Sequence, residues 1–295
     1  MAGNTALWQE PAGMTGKKIM QILLSVMEQG DPLTYINKLN IRADAVIVNQ
    51  CGRESCRDAE LKDGMVIIDG KPCGGTDIER PNQRVRIVEK NEKGLSRSRN
   101  LALSMASDDI CIFCDNDVRY NDDAVAVIED AFARYPDAGI ICFFIERPER
   151  HEPVRSTEGT MSKIEMMRIF SPEIAVRRSK LGDLRFDERF GAGAKYKMGE
   201  ENIFLFEAAR RGIDRIYIPV KIAETLPNES SWFTAYDREF YIARGAGYEA
   251  MDGKIWHLLT WQNLIRKRKE YRDTISTLDA YRAMKEGRKE YRSEN

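Results

Sequence analysis

The chain has 295 residues, with 46 Lys+Arg against 47 Asp+Glu and a formal net charge of -1. Hydrophobic residues make up 42% and charged residues 32%, the composition of a globular protein whose length is enough to bury a large core without staples. The balanced charge argues against a nucleic-acid binder, no run reaches the ~18 apolar residues of a membrane span, and two histidines, His151 and His257, cannot build a His-rich metal centre. Met1 to Gly16 lacks the apolar core of a signal peptide and reads as a flexible leader. Six cysteines without such a signal then point to reduced thiols and a cytoplasmic location.

Along the chain, the apolar run from Ile19 predicts a buried strand, and Pro32 to Leu39 a helix with Asp31 as N-cap. Ala45–Asn49 and Val85–Val88 read as further strands, separated by a glycine-punctuated, hairpin-rich stretch. Leu95–Ala106 reads as a helix, Ile110–Cys114 as a strand, and Val125 to Tyr135 as an amphipathic helix stopped by Pro136. Strands follow at Gly139–Ile145, Ile174–Val176 and Ile216–Pro219, with a helix from about Glu201 to Arg211 before Gly212. This alternation predicts a three-layer α/β domain with a mostly parallel central sheet. The division expected is a leader over 1–16, a main domain over 17–253 and a basic helical extension over 254–295, the last with 11 Lys+Arg against 6 Asp+Glu.

Open α/β sheets bind ligands beyond the carboxyl ends of their strands. Asp115-Asn116-Asp117 follows the Ile110–Cys114 strand, and residues two apart in extended chain point the same way. Two hard oxygen donors so placed suit Mg²⁺ or Mn²⁺ with a phosphate-bearing substrate. Spacing alone equally allows the ordinary Asx turn of a strand end.

The context of these residues resembles glycosyltransferase family 2, the inverting enzymes of GT-A fold. Gly94-Leu95-Ser96-Arg97-Ser98-Arg99-Asn100 leads through a helix to Asp115-Asn116-Asp117, and about 85 residues later come Phe186-Asp187-Glu188-Arg189-Phe190-Gly191 and Gly199-Glu200-Glu201-Asn202. The resemblance implies that Asp117, with Asp115, holds Mn²⁺ or Mg²⁺ and the diphosphate of a nucleotide-sugar donor. It places Ser25, Asn49, Gly94, Arg97 and Asn116 around the nucleotide, with Asn49 where the family usually has an acid. It makes Glu201 the base, preceded by Glu200, that deprotonates a glycan or lipid-linked glycan acceptor in surface polysaccharide synthesis. A donor linked to UDP is expected. The family often adds a metal-binding His near a Ser-Ser/Thr-Trp segment, whereas Thr225 to Trp232 contains none, which leaves Glu229 or water in its place.

Two other readings are open. A non-catalytic glycosyltransferase-like scaffold would account for the missing His, and a sugar-nucleotidyltransferase would share the strand-end carboxylates but lacks its glycine-rich loop after the first strand. Cys111 and Cys114 read as core thiols on opposite strand faces, and Cys51, Cys56 and Cys73 make a poor zinc set without His. The tail, with Trp256, Leu258, Leu259, Trp261 and Leu264 before Arg266-Lys267-Arg268-Lys269, either packs on the main domain or a sister subunit, or lies on an anionic membrane as a peripheral anchor.

Overall fold

The computed structural model describes residues 20–62, 64–75, 82–227 and 235–294. The expected leader, Glu229 and the Ser-Ser-Trp stretch lie outside the described residues.

The first half builds the parallel centre of the sheet and its antiparallel flank. Strand β1 (Met20–Val26) is followed by a short helix α1 (Thr34–Lys38) and β2 (Asp44–Asn49), and every residue of both strands is buried. Helix α1 starts later than the sequence predicts. Asp31 is not its N-cap: its carboxylate accepts the backbone N–H of Leu33 at 3.1 Å, an Asx turn that spends the capping oxygen one turn early. The glycine-rich stretch folds as the hairpins β3 (Ser55–Lys62), β4 (Met65–Ile68) and β5 (Lys71–Gly75), laid antiparallel on β6 (Gln83–Glu89). Helix α2 (Leu95–Met105) then leads to β7 (Ile110–Asp115), the short β8 (Val118–Tyr120) and α3 (Ala124–Arg134).

The second half continues with β9 (Ile140–Glu146), β10 (Gly159–Thr160), α4 (Lys163–Met166), β11 (Ile174–Arg177), α5 (Arg178–Leu181), α6 (Glu200–Arg210) and β12 (Arg215–Thr225). The strands form one sheet of order β10-β12-β9-β11-β7-β1-β2-β6-β3-β4-β5, with β8 on β12. Only the centre, β7-β1-β2-β6, and the β9–β12 pair are parallel; β11 runs antiparallel between β7 and β9, so the sheet is mixed rather than mostly parallel. Strand β12 runs past the predicted stop at Pro219 because the ladder with β9 shifts register between Tyr217 and Lys221, where a residue without an N–H costs no ladder bond.

Each sheet face carries its own core. Cys111 and Phe113 join the cluster under α2 and α6, while Ile112 and Cys114 join the one under α1 and α3, so the two cysteines do face opposite ways. Four C-terminal helices, α7 (Arg238–Asp252), α8 (Trp256–Arg266), α9 (Arg268–Tyr271) and α10 (Thr277–Ser293), complete the first core. Helices α7 and α10 touch backbone to backbone: a Cβ on Gly245 would lie 2.0 Å from the Met284 carbonyl oxygen, and one on Gly287 would lie 2.0 Å from that of Ile242. No helix among the described residues is long and apolar enough to cross a membrane.

Candidate active site

The carboxyl ends of β1, β2 and β7 meet where the chain turns to opposite sides of β1. Ser25 lies in register with Asp115 on β7 and with Val48, next to Asn49, on β2. Asp115 is the last strand residue; Asn116 and Asp117 form the turn into β8. Asp117 therefore lies beyond the extended backbone, so strand alternation does not set the two carboxylates on one face. The two remain within electrostatic reach. Burial first, and then the Asp115 charge, push the Asp117 carboxyl above its ordinary value, against the pull of Lys38.

Arg99 connects this strand end to the second motif. Its side chain is only 2% exposed, yet it donates to Asp115 Oδ1 at 2.8 Å and to Glu200 Oε1 at 2.9 Å. Burial opposes its charge, but the Asp115 and Glu200 carboxylates outweigh that cost and hold the guanidinium above its ordinary value. Lysine could not reproduce the arrangement, since the fork addresses two carboxylates in fixed directions.

Local sequence brings Glu200 within reach. Phe186 stacks on Phe204 of α6 at 4.4 Å between centroids, and Phe113 of β7 meets Phe186 edge-on at 5.0 Å. Such aromatic contacts fix ring geometry beyond simple burial. The loop Phe190–Gly193 is pinned to the start of α2: Ser96 Oγ donates to the Phe190 carbonyl at 2.6 Å, and Leu95 N–H to that of Ala192 at 2.9 Å. Gly191 has φ +102° and admits no Cβ without crowding Ser96 and Glu200 at 3.2 Å. Gly199, at φ +90°, then opens α6 with Glu200 and Glu201 in its first turn.

The two glutamates differ. Glu200 is buried and paired with Arg99. Glu201 is half-buried, and its carboxyl is raised to about 8, first by burial and then by the neighbouring Glu200 charge, with Arg99 opposing. A raised carboxyl of this kind is matched to proton transfer near neutral pH.

The remaining predicted residues separate. Ser25 shares a 2.8 Å hydrogen bond with Ser98 of α2. Asn49 is fully buried, and its amide brackets the Glu28 backbone, accepting from its N–H at 2.8 Å and donating to its carbonyl at 2.9 Å. It thus shapes the β1 loop rather than presenting a free amide. Gln50, which sequence reasoning passed over, brackets Gly94 in the same way, at 3.1 and 3.2 Å. Gly94 holds φ +132° at the start of α2. Arg97 faces outward to Glu188 and Glu92, at 3.4 and 3.6 Å, and Arg99 two residues on is the inward cation. Asn116 is half-buried beside Tyr35. His151 and His257 are exposed.

No group of three or more His, Cys, Asp or Glu among the described residues has metal-binding geometry. Asp117 and Asp115 are instead two carboxylates within electrostatic reach, the Asp117 carboxyl raised first by burial and then by the Asp115 charge. That fits a hard cation that arrives with phosphates and keeps water as its other ligands. Leu226 N–H donates to the Asp117 carbonyl at 2.6 Å, so the segment in which the sequence lacks a His begins beside this site.

A model of glycosyl transferase family 2 matches residues 61–201. No curated protein matches the sequence. Among solved structures, residues 1–349 of Staphylococcus aureus TarS share the fold, with TM-score 0.55 and 11% identity over 94% of this chain and 92% of that one. The same region bound to UDP-GlcNAc gives the same values. Its complex with UDP gives TM-score 0.53 and 12% identity over 88% of this chain and 75% of that one. At these identities the likeness is one of fold.

Proposed function

From the premise that the chain is a member of glycosyl transferase family 2, carrying the family's domain over residues 61–201, we propose that it is an inverting transferase that moves a sugar from a nucleotide diphosphate, UDP-linked, to a hydroxyl of a glycan or lipid-linked glycan. The observation that carries this reading is the pairing of unlike carboxylates at the start of α6. Glu200 is locked to Arg99, while the Glu201 carboxyl beside it is raised by burial and by the Glu200 charge.

In this reading Ser25 and the Gly94 turn line the nucleotide side, and Asp115 and Asp117 would hold Mn²⁺ or Mg²⁺ against the diphosphate. When bound, the cation offsets the charge of the departing diphosphate. Glu201 takes the proton of the acceptor hydroxyl as its oxygen bonds to the anomeric carbon and the bond from that carbon to the phosphate oxygen breaks. Arg99 keeps the donor carboxylate Asp115 and the base-bearing turn at one spacing, which is where transfer gains from positioning. Family resemblance alone carries the further role, extending a surface polysaccharide or glycolipid from the cytoplasmic side.

The test is a thermal shift with UDP-, GDP- and dTDP-sugars, each with Mn²⁺ and with EDTA. Metal-dependent stabilisation by UDP-sugars is expected, because a ligand that binds only the folded chain raises its midpoint. Stabilisation by none at saturation would remove the donor site from this reading.

A further inference from the structure

The face that α8 turns to solvent is apolar. Its inward residues are Trp256, Leu259, Thr260 and Leu264, all buried in the core shared with α7 and α10. On the opposite side, at helical spacing, stand Leu258, Trp261 and Ile265, which are 67%, 47% and 72% exposed. Trp261 stacks on Tyr281 of α10 at 5.2 Å, and Leu278, one turn before Tyr281, is 57% exposed and extends the patch. A surface helix of a soluble protein ordinarily puts polar residues there.

Along α8 and into α9 as far as Lys269 the charge has one sign; beyond it the acids Glu270, Asp273 and Asp279 are exposed, Glu270 paired with Lys267 and Asp279 with Arg282. From Lys254 to Lys269 there is no Asp or Glu, while Arg266, Lys267, Arg268 and Lys269 follow the apolar face. Arg266, Arg268 and Lys269 are exposed. Lys267 is paired with Glu270 at 2.8 Å, so the cations that point outward are mainly the other three. A second copy of the chain docked twofold on this face would set these cations against themselves. An anionic bilayer meets both features at once, taking the Leu, Trp and Ile side chains into the headgroup boundary and the cations onto lipid phosphates.

We propose that the outer face of α8 is a membrane-docking surface, seated on anionic lipid through Leu258, Trp261 and Ile265 and held by Arg266, Arg268 and Lys269. It deepens the reading of a lipid-linked acceptor by giving the enzyme its place of work, but the docking is independent of catalysis and is tested without donor.

The test is co-sedimentation of the full chain with phosphatidylcholine vesicles, with and without one-third phosphatidylglycerol. Binding to the anionic vesicles at 0.1 M salt is expected, falling at least tenfold at 0.5 M. L258D/I265D, both at exposed positions, should fall at least tenfold with an unchanged melting midpoint, as should R268E/K269E. Equal binding to both vesicle types, or none to either, would overturn the proposal. So would concentration-dependent dimerisation of the wild type that L258D/I265D abolishes, since the face would then be an interface between copies.

Discussion

Arg99 and Glu200 form a buried ion pair at 2.9 Å across 101 positions of sequence, and the same guanidinium reaches Asp115. One cation thus ties the strand end that would carry the donor to the helix that would carry the base. Removing it leaves the buried Glu200 and the partly exposed Asp115 without their shared cation, and breaking a buried pair costs about 3–5 kcal/mol. Arg99→Met should therefore lower the melting midpoint by several degrees and abolish transfer. Arg99→Lys should recover part of the stability and little of the activity, because a single ammonium nitrogen lacks the span and fixed directions of the two guanidinium nitrogens that address Glu200 and Asp115. Equal stability of the Met variant and wild type in calorimetry would show the pair to be dispensable.

Glu201→Gln should leave the affinity for a nucleotide sugar within about twofold and reduce transfer by about 10²–10⁴, the usual contribution of a positioned base. Titration of donor followed by single-turnover transfer separates the two. A parallel loss of donor affinity would reassign the residue to binding.

The raised Glu201 carboxyl also fixes two pH dependences. As a base it acts only when ionised, so transfer should climb as pH rises towards about 8 and level off beyond it. Stability runs the other way. Below the ordinary carboxylate value of 4.5 both folded and unfolded chains hold the proton; above it the unfolded chain releases its proton first, so this group lowers stability progressively up to about pH 8. Glu201→Gln should accordingly melt higher than wild type at pH 8, by roughly 1–3 kcal/mol, and equally at pH 4. A Gln variant less stable at pH 8 would contradict the assignment.

Asp117→Asn removes one of two charges that repel each other when no cation is bound. Stimulation of donor binding by Mn²⁺ should vanish, while the midpoint in EDTA stays equal to or above that of wild type, since burial and Asp115 already disfavour the Asp117 charge. Isothermal titration with and without Mn²⁺ measures the first and a melt in EDTA the second.

Gly287→Ala or Gly245→Ala should each destabilise the chain by about 1–3 kcal/mol, the usual cost of overpacking, because the added carbon meets a backbone carbonyl that cannot swing aside. Urea melts compare these with Gly212→Ala, where nothing lies within 4 Å and only the +72° backbone is strained.

Much of this was legible from composition and pattern. Buried runs such as Ile110–Cys114 read as strands because a short, continuous apolar run bounded by polar residues matches the length of a buried strand. Asp115, Asp117 and the two glutamates were singled out as candidates because their motifs combine residue type with order. The roles of Arg97 and Arg99 were not separable in the same way: both lie on one short helix, and only the tertiary contact with α6 decides which faces inward. The resemblance put Asn49 beside the base, but its amide is taken up by the Glu28 backbone, a contact between the end of β2 and the loop after β1 that no spacing reveals. The antiparallel β11 escaped a local reading as well, since a four-residue strand carries no sign of its direction.

The Phe190–Gly193 loop, pressed so closely on α2 that a Cβ at Gly193 would stand 3.3 Å from the Gly94 nitrogen, bears on how such enzymes can be recombined. Donor-side and acceptor-side halves look exchangeable because they are contiguous in sequence. In this chain a graft made anywhere between β8 and Phe186 inherits one half of a glycine-to-glycine apposition and one half of a three-residue ion pair. A working hybrid must therefore carry Gly94, Arg99, Gly193 and Glu200 across the junction as one unit.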